Sequence, residues 1–167
     1  FKTQSDTEVI LELYLEKQES FLSKLNGMFS IAIWDDSRQQ LFVARDRVGK
    51  KPLYYFRRKG RFSFSSELFS LIQDPQVPRR LSEQALIEYL LYDFIPGPHS
   101  IFEQVYKLPP AHYAIFDRDG LRIQRYWMPP LPEKETDYCR ERNRLEYLLF
   151  DSVEKRLIAD VPLGAFL

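Results

Sequence analysis

The sequence predicts an α+β fold: an antiparallel part made of hairpins, then a linker, then the first helix and strand of an α/β unit. Three observations predict it. Between Met28 and Trp127, apolar stretches with strand-like composition come in pairs joined by short polar turns. Met128 to Asp137 then holds three prolines and four charged residues, the composition of a linker. Beyond it a long helical period from Tyr138 leads into the apolar stretch Asp160 to Leu167, and helix followed by buried strand is the order found in parallel sheets.

Taken in order, Ser5-Asp6-Thr7-Glu8 reads as a capping box, with Ser5 accepting from the Glu8 N–H and Glu8 reaching back to Ser5. Val9, Ile10, Leu13 and Tyr14 repeat at helical spacing, so a helix runs to about Lys17, and a short helical turn follows from Glu19 to Leu25. Met28 to Trp34 and Leu41 to Arg45 form a hairpin across the turn Asp35-Asp36-Ser37-Arg38. Pro52 to Phe56 and Arg61 to Phe64 form a second, across Arg57 to Gly60. A helix covers Glu67 to Gln73, and Asp74 to Pro78 is a loop. Ser82 caps a further helix whose apolar stripe is Leu86, Ile87, Leu90 and Leu91, expected to face the core. Ile95-Pro96-Gly97-Pro98 breaks it. A third hairpin pairs His112 to Phe116 with Leu121 to Trp127. The final helix spans roughly Tyr138 to Ile158, with Leu145, Leu148, Leu149, Val153 and Leu157 on one stripe.

Composition excludes several classes. Of the 167 residues, 44% are hydrophobic and 15% aromatic, which supplies a packed core and argues against disorder. Lys plus Arg balances Asp plus Glu at 24 each, so there is no electrostatic footprint for nucleic acid or an anionic membrane. No apolar run is long enough to span a bilayer. A single cysteine, Cys139, excludes an internal disulfide framework and a cysteine metal cluster, and fits a reducing, cytoplasmic compartment. Phe1 is not an initiator methionine, and both ends read as interruptions of a longer chain.

Several stretches are more specific together than apart. They are S-D-T-E-V-I (5–10), L-N-G-M-F-S-I-A-I-W-D (25–35), A-R-D-R-V-G-K-K-P-L-Y-Y (44–55), S-S-E (65–67), I-P-G-P-H-S-I-F (95–102), K-L-P-P-A-H (107–112), R-Y-W (125–127) and D-V-P-L-G-A-F-L (160–167). In this order they resemble glutamine-hydrolysing asparagine synthetase. The resemblance implies an incomplete N-terminal-nucleophile glutaminase domain of αββα layering over residues 1–127, a linker over 128–137, and the start of an ATP-pyrophosphatase-type synthetase domain over 138–167. It implies glutamine, aspartate and ATP as substrates, magnesium with the nucleotide, and an aspartyl-adenylate that ammonia attacks. It allows a homodimer.

The resemblance also assigns residues. Asp6, which composition alone reads as a first-turn acid favoured by the helix dipole, becomes the ligand of the glutamine α-amino group. Leu167, at the carboxyl end of the last strand and next to the family's phosphate loop, becomes the first point of contact with ATP. Arg45, Asp46 and Gly49, otherwise a polar turn, become support for the glutaminase pocket, as do Ser66 and Glu67, although Ser66 also suits a helix cap. No catalytic residue is expected in this chain, because the family's nucleophile is an N-terminal cysteine. Cys139 has neither the position nor the partners of that nucleophile. His99 and His112 have no companion at metal-ligand spacing and read as structural, so no metal ligand is expected. Two rivals stand beside this reading: a relative that amidates another carboxylate or closes a lactam, and a non-enzymatic binding domain.

Overall fold

The structure, a computed structural model, describes residues 1–58, 60–131, 137–159 and 161–164. It divides into two compact units, Phe1–Met128 and Pro129–Leu167.

The first unit is built on two antiparallel sheets. Helix α1 (Asp6–Lys17) and a 3₁₀ helix (Gln18–Lys24) precede the strands. Strands β1 (Ser30–Asp35), β2 (Gln40–Arg45), β6 (His112–Asp117) and β7 (Gly120–Arg125) form one sheet in the order β1-β2-β6-β7. Strands β3 (Tyr54–Arg58), β4 (Arg61–Ser65) and β5 (Val105–Lys107) form the other, in the order β4-β3-β5. The three expected hairpins are present, and each pairs in one continuous register; Ser30 faces Arg45, Tyr54 faces Ser65 and His112 faces Arg125.

Side-chain alternation explains the layering. Phe42 and Ala44 of β2 point to one face with Ile31 and Ile33 of β1, where Tyr14 of α1 and Phe21 and Leu22 of the 3₁₀ helix cover them. Val43 of β2 and Ala114 of β6 point to the other face and pack on Leu53 and Leu108 beneath the second sheet. Because β2 is covered on both sides, its buried positions run nearly without a break, as in strands sandwiched between layers. Phe56 and Val105 turn away from that interface and pack on Leu71 and Val77. The order is helix, sheet, sheet, helix. The Tyr14 hydroxyl fixes α1 to the first hairpin, donating to Asp35 (3.1 Å) and accepting from Gln40 (3.2 Å).

The structure corrects several expectations. Ser5 caps α1, but it accepts from the Thr7 N–H at 3.2 Å. Glu8 does not reach back to Ser5. Its carboxylate takes the N–H groups of Lys2 (2.6 Å) and Thr3 (2.7 Å) and the Thr3 hydroxyl, so three donors outcompete the capping box. Those bonds, Thr3's first, hold the Glu8 carboxyl below the usual range. The helix expected over Glu67 to Gln73 shortens to α2 (Leu68–Leu71). Neither Ser66 nor Glu67 caps it through a side chain; the Glu67 N–H instead donates to Ser65 Oγ at 3.1 Å. Helix α3 (Glu83–Tyr92) starts at Ser82, which accepts from the Ala85 N–H. Its stripe of Leu86, Ile87, Leu90 and Leu91 does not face the core. All four are exposed, and Ala85 alone is buried.

In the second unit, α4 (Tyr138–Glu154) is capped by Asp137, which accepts from the N–H groups of Cys139 (2.8 Å) and Arg140. It ends four residues before the expected Ile158, and none of its residues is buried. The apolar stretch 160–167 lies partly outside the described residues. Val161 to Gly164 carry no strand, contrary to the expected buried strand, and Val161 and Leu163 are exposed. Among the described residues no helix is long and apolar enough to cross a membrane.

Candidate functional site

A cleft of ≈ 560 Å³ opens where the start of α1 meets β1, the free edge of the larger sheet. Asp6 and Thr7 line it from α1, Met28 to Ile33 supply a mostly apolar floor, and Lys51, Pro52 and Ser66 complete the lining. Asp6 is the first helical residue after the Ser5 cap, which places an exposed carboxylate at the cleft wall. The Thr7 hydroxyl lies 3.4 Å from Asp6 Oδ1. An exposed anion beside an apolar floor suits a ligand that carries an ammonium group and a short apolar stem.

Arg45, Asp46 and Gly49 do not line this cleft. They hold the loop that delivers Lys51 and Pro52 to it. The Arg45 guanidinium donates to three backbone carbonyls: Lys51 (2.7 Å), Leu108 (2.6 Å) and Gly49 (2.7 Å). Asp46 is fully buried. Its carboxylate accepts the N–H groups of Val48 (3.2 Å), Lys50 (3.0 Å) and Lys51 (2.9 Å), the nest geometry of a tight anionic turn. Burial pushes this carboxyl up, but the N–H donors, led by Lys51, outweigh burial and hold it below the usual range. Gly49 has φ +69°, and a Cβ there would meet Pro110 Cγ at 2.9 Å.

The brace draws three separated motifs together. From A-R-D-R-V-G come Arg45, Asp46 and Gly49. From K-L-P-P-A-H come Leu108, whose N–H donates to Leu53 (2.8 Å), and Ala111, whose N–H donates to Asp46 (2.9 Å). From R-Y-W comes Tyr126, whose N–H donates to Ala111 and whose hydroxyl donates to the Arg45 carbonyl, both at 2.9 Å. Burial first, then the Asp46 charge, pushes the Tyr126 hydroxyl up to about 12. Arg47 adds a further tie, donating to the Ser23 carbonyl (3.0 Å) with its guanidinium carbon 5.6 Å from the Trp127 ring centre.

Of the residues singled out in the sequence, the cleft wall takes Asp6 and Ser66, the brace takes Arg45, Asp46 and Gly49, and Glu67 belongs to neither group. Leu167 lies outside the described residues. Thr7, Met28, Lys51 and Pro52 in the wall, and Tyr126, Leu108 and Pro110 in the brace, were not singled out as site residues. Their only sequence signal is membership of the same short motifs. Cys139 is exposed on α4. His112 Nδ1 lies 2.7 Å from the Pro110 carbonyl, and His99 Nδ1 lies 2.9 Å from a Glu88 oxygen. Among the described residues no three His, Cys, Asp or Glu side chains converge as a metal site requires.

Known structures and sequences identify this arrangement. The fold is similar to that of glutamine phosphoribosylpyrophosphate amidotransferase from B. subtilis, at a TM-score of 0.50 and 22% identity over 77% of this chain and 24% of that one. The chain therefore shares the layered α+β fold of that amidotransferase. The family described as glutamine amidotransferase domain matches residues 1–127, and the chain belongs to that family. Beyond residue 127 the similarity continues. Asparagine synthetase [glutamine-hydrolyzing] 3 of Bacillus subtilis is 39% identical over 100% of this chain and 27% of its own length. Putative asparagine synthetase [glutamine-hydrolyzing] 2 of Methanocaldococcus jannaschii is 35% identical over 99% of this chain and 33% of its own. The chain thus spans roughly a quarter to a third of these relatives.

Proposed function

We propose that this chain is part of an ATP-dependent amide ligase that hydrolyses glutamine and uses the ammonia to convert aspartate to asparagine through an aspartyl-adenylate. One observation carries the reading: similarity to asparagine synthetases covers the full 167 residues, although the glutamine amidotransferase family accounts only for residues 1–127. Residues 138–167 then begin the synthetase part, and 128–137 link the two. A cytoplasmic setting fits a chain whose single cysteine has no disulfide partner.

Within this reading Asp6 pairs with the α-ammonium of glutamine at the mouth of the cleft, a charge-assisted contact that favours a free amino acid over a peptide. The 45–51 brace keeps Lys51 and Pro52 in place in the cleft lining. Magnesium would accompany the nucleotide, held by residues outside this chain. ATP contact falls to Leu167 and to residues beyond it.

The test is made on the longer polypeptide that contains this sequence. With glutamine, aspartate and ATP it should form asparagine, glutamate and AMP. Asp6→Ala should impair glutamine-dependent synthesis at least tenfold while synthesis from free ammonia persists. Equal loss of both activities would refute the ammonium role, and amidation of a different acid would refute asparagine as product.

A further inference from the structure

Helix α3 carries an apolar face that its own unit does not use. Leu86, Ile87, Leu90 and Leu91 are 44%, 58%, 73% and 70% exposed. Tyr89, Tyr92 and Phe94 extend the patch past the helix end, each at least half exposed. Beside it lies a recess of ≈ 310 Å³ whose lining is mainly apolar, with Tyr54, Leu68, Tyr89 and Phe94, and carries the charges of Asp93 and Lys107. A run of exposed aliphatic side chains next to an apolar recess is the form of a protein docking site, with the recess suited to an inserted anchor.

The face is held firmly from behind. His99 Nδ1 lies 2.9 and 3.1 Å from the two Glu88 carboxylate oxygens. Lys107 Nζ donates to the Ile95 carbonyl at 2.5 Å. At the other end the Ser82 N–H donates to the Ile101 carbonyl at 2.9 Å. A surface fixed in this way loses little conformational freedom on docking.

Charge narrows the occupant. Glu83 lies at the start of α3 and Asp93 caps its end, Glu88 is turned to His99, and the helix has no Lys or Arg. Two copies packed face to face would bring acids against acids, with no basic group on the helix to relieve them. A partner of the opposite pattern, an apolar stripe flanked by Lys or Arg, fits instead. The relatives carry two thirds or more of their length outside the region this chain covers. We propose that the α3 face is buried against the synthetase portion of the same polypeptide, through an amphipathic segment with a basic border. This rests on the reading of the chain as part of a longer ligase.

The experiment places a thiol on the face and reads its accessibility. Leu90→Cys, and Leu91→Cys as a second position, are made in the longer polypeptide and in the 167-residue chain. Labelling by a water-soluble maleimide is followed peptide by peptide by mass spectrometry, so other cysteines do not interfere. Both positions should label at least tenfold more slowly in the longer polypeptide. Rates within twofold would overturn the proposal. So would protection that grows with protein concentration, which would make a second copy the occupant. The readout needs no substrate, so it stands even if the enzyme forms an amide other than asparagine. A reading frame with no further portion would be seen in the intact mass before labelling, and would overturn the proposal together with the ligase reading.

Discussion

Gly49→Ala tests the brace directly. Two costs can be worked from the structure. The residue has φ +69°, and placing an L side chain in the left-handed region costs about 1–2 kcal/mol. The new Cβ would also stand 2.9 Å from Pro110 Cγ and 3.1 Å from the Arg45 guanidinium carbon. Neither neighbour yields cheaply, since the proline ring is rigid and the guanidinium is tied to three carbonyls. Overpacking of this kind costs about 1–3 kcal/mol. The sum is about 3 kcal/mol. Spread over the unit Phe1–Met128, an unfolding entropy of about 2.1 cal/mol/K per residue converts that to a fall in Tm of roughly 10 °C. The assay is thermal unfolding of the wild type, Gly49→Ala, Pro110→Ala and the double variant. Removing Pro110 Cγ relieves the clash but leaves the backbone strain, so the cycle should show a favourable coupling of about 1 kcal/mol. A Gly49→Ala protein that melts within 2 °C of wild type would refute the reasoning. So would a double variant with no coupling, because the close approach to Pro110 would then be no constraint.

Two further predictions concern pH. The folded Asp46 carboxyl lies below its ordinary value, so its stabilisation is fully present above the unfolded pKa of about 4 and is lost as pH falls through the lower folded value. Asp46→Asn should therefore cost about 1–3 kcal/mol at pH 7, and the cost should shrink progressively as pH is lowered below about 4 when urea midpoints are compared; a cost independent of pH would show that the charge is not what the three N–H groups hold. Tyr126 is displaced the other way, up to about 12, so its stabilisation is present below about pH 10 and is lost between pH 10 and 12. Tyr126→Phe should give a flatter melting curve against pH over that range, after losing about 1 kcal/mol at neutral pH with the bond to Arg45; an unchanged alkaline slope would exclude Tyr126 as its source. Finally, the 167-residue chain alone should release no ammonia from glutamine, since its single thiol, Cys139, is on α4 and not in the cleft; ammonia above background in a glutaminase assay would show the nucleophile to be misplaced.

Local patterns were legible where one short-range interaction decides the outcome. The short apolar run of β2 and the turn residues between strands located the hairpins, and Ser82 marked the start of α3 because its cap bond spans three residues. Competition between local options was not legible. Glu8 has the capping-box spacing, yet the donors of Lys2 and Thr3 take it, and no residue count ranks those bonds. Long-range closure was hidden as well. Arg45 meets the Leu108 carbonyl across 63 positions, and Tyr126 meets the Arg45 carbonyl across 81. Period 3.6 showed that α3 has two faces, but periodicity does not say what covers the apolar one. The expectation of core burial there failed for that reason.

The division between wall and brace explains why the motifs look as they do. A carboxylate that meets a ligand must remain exposed, and Asp6 does so at a helix start whose spacing is commonplace. The residues that make A-R-D-R-V-G distinctive are constrained by geometry: a buried anion satisfied by three N–H groups, a left-handed backbone, and an arginine closing three carbonyls. These demands restrict residue type far more than surface contact does. The most recognisable stretch therefore marks the support of the cleft, and the cleft-lining positions sit in its flank, at Lys51 and Pro52. Substitutions in the support should act through loop position and stability together, whereas substitutions at Asp6 should alter ligand binding with little change in Tm.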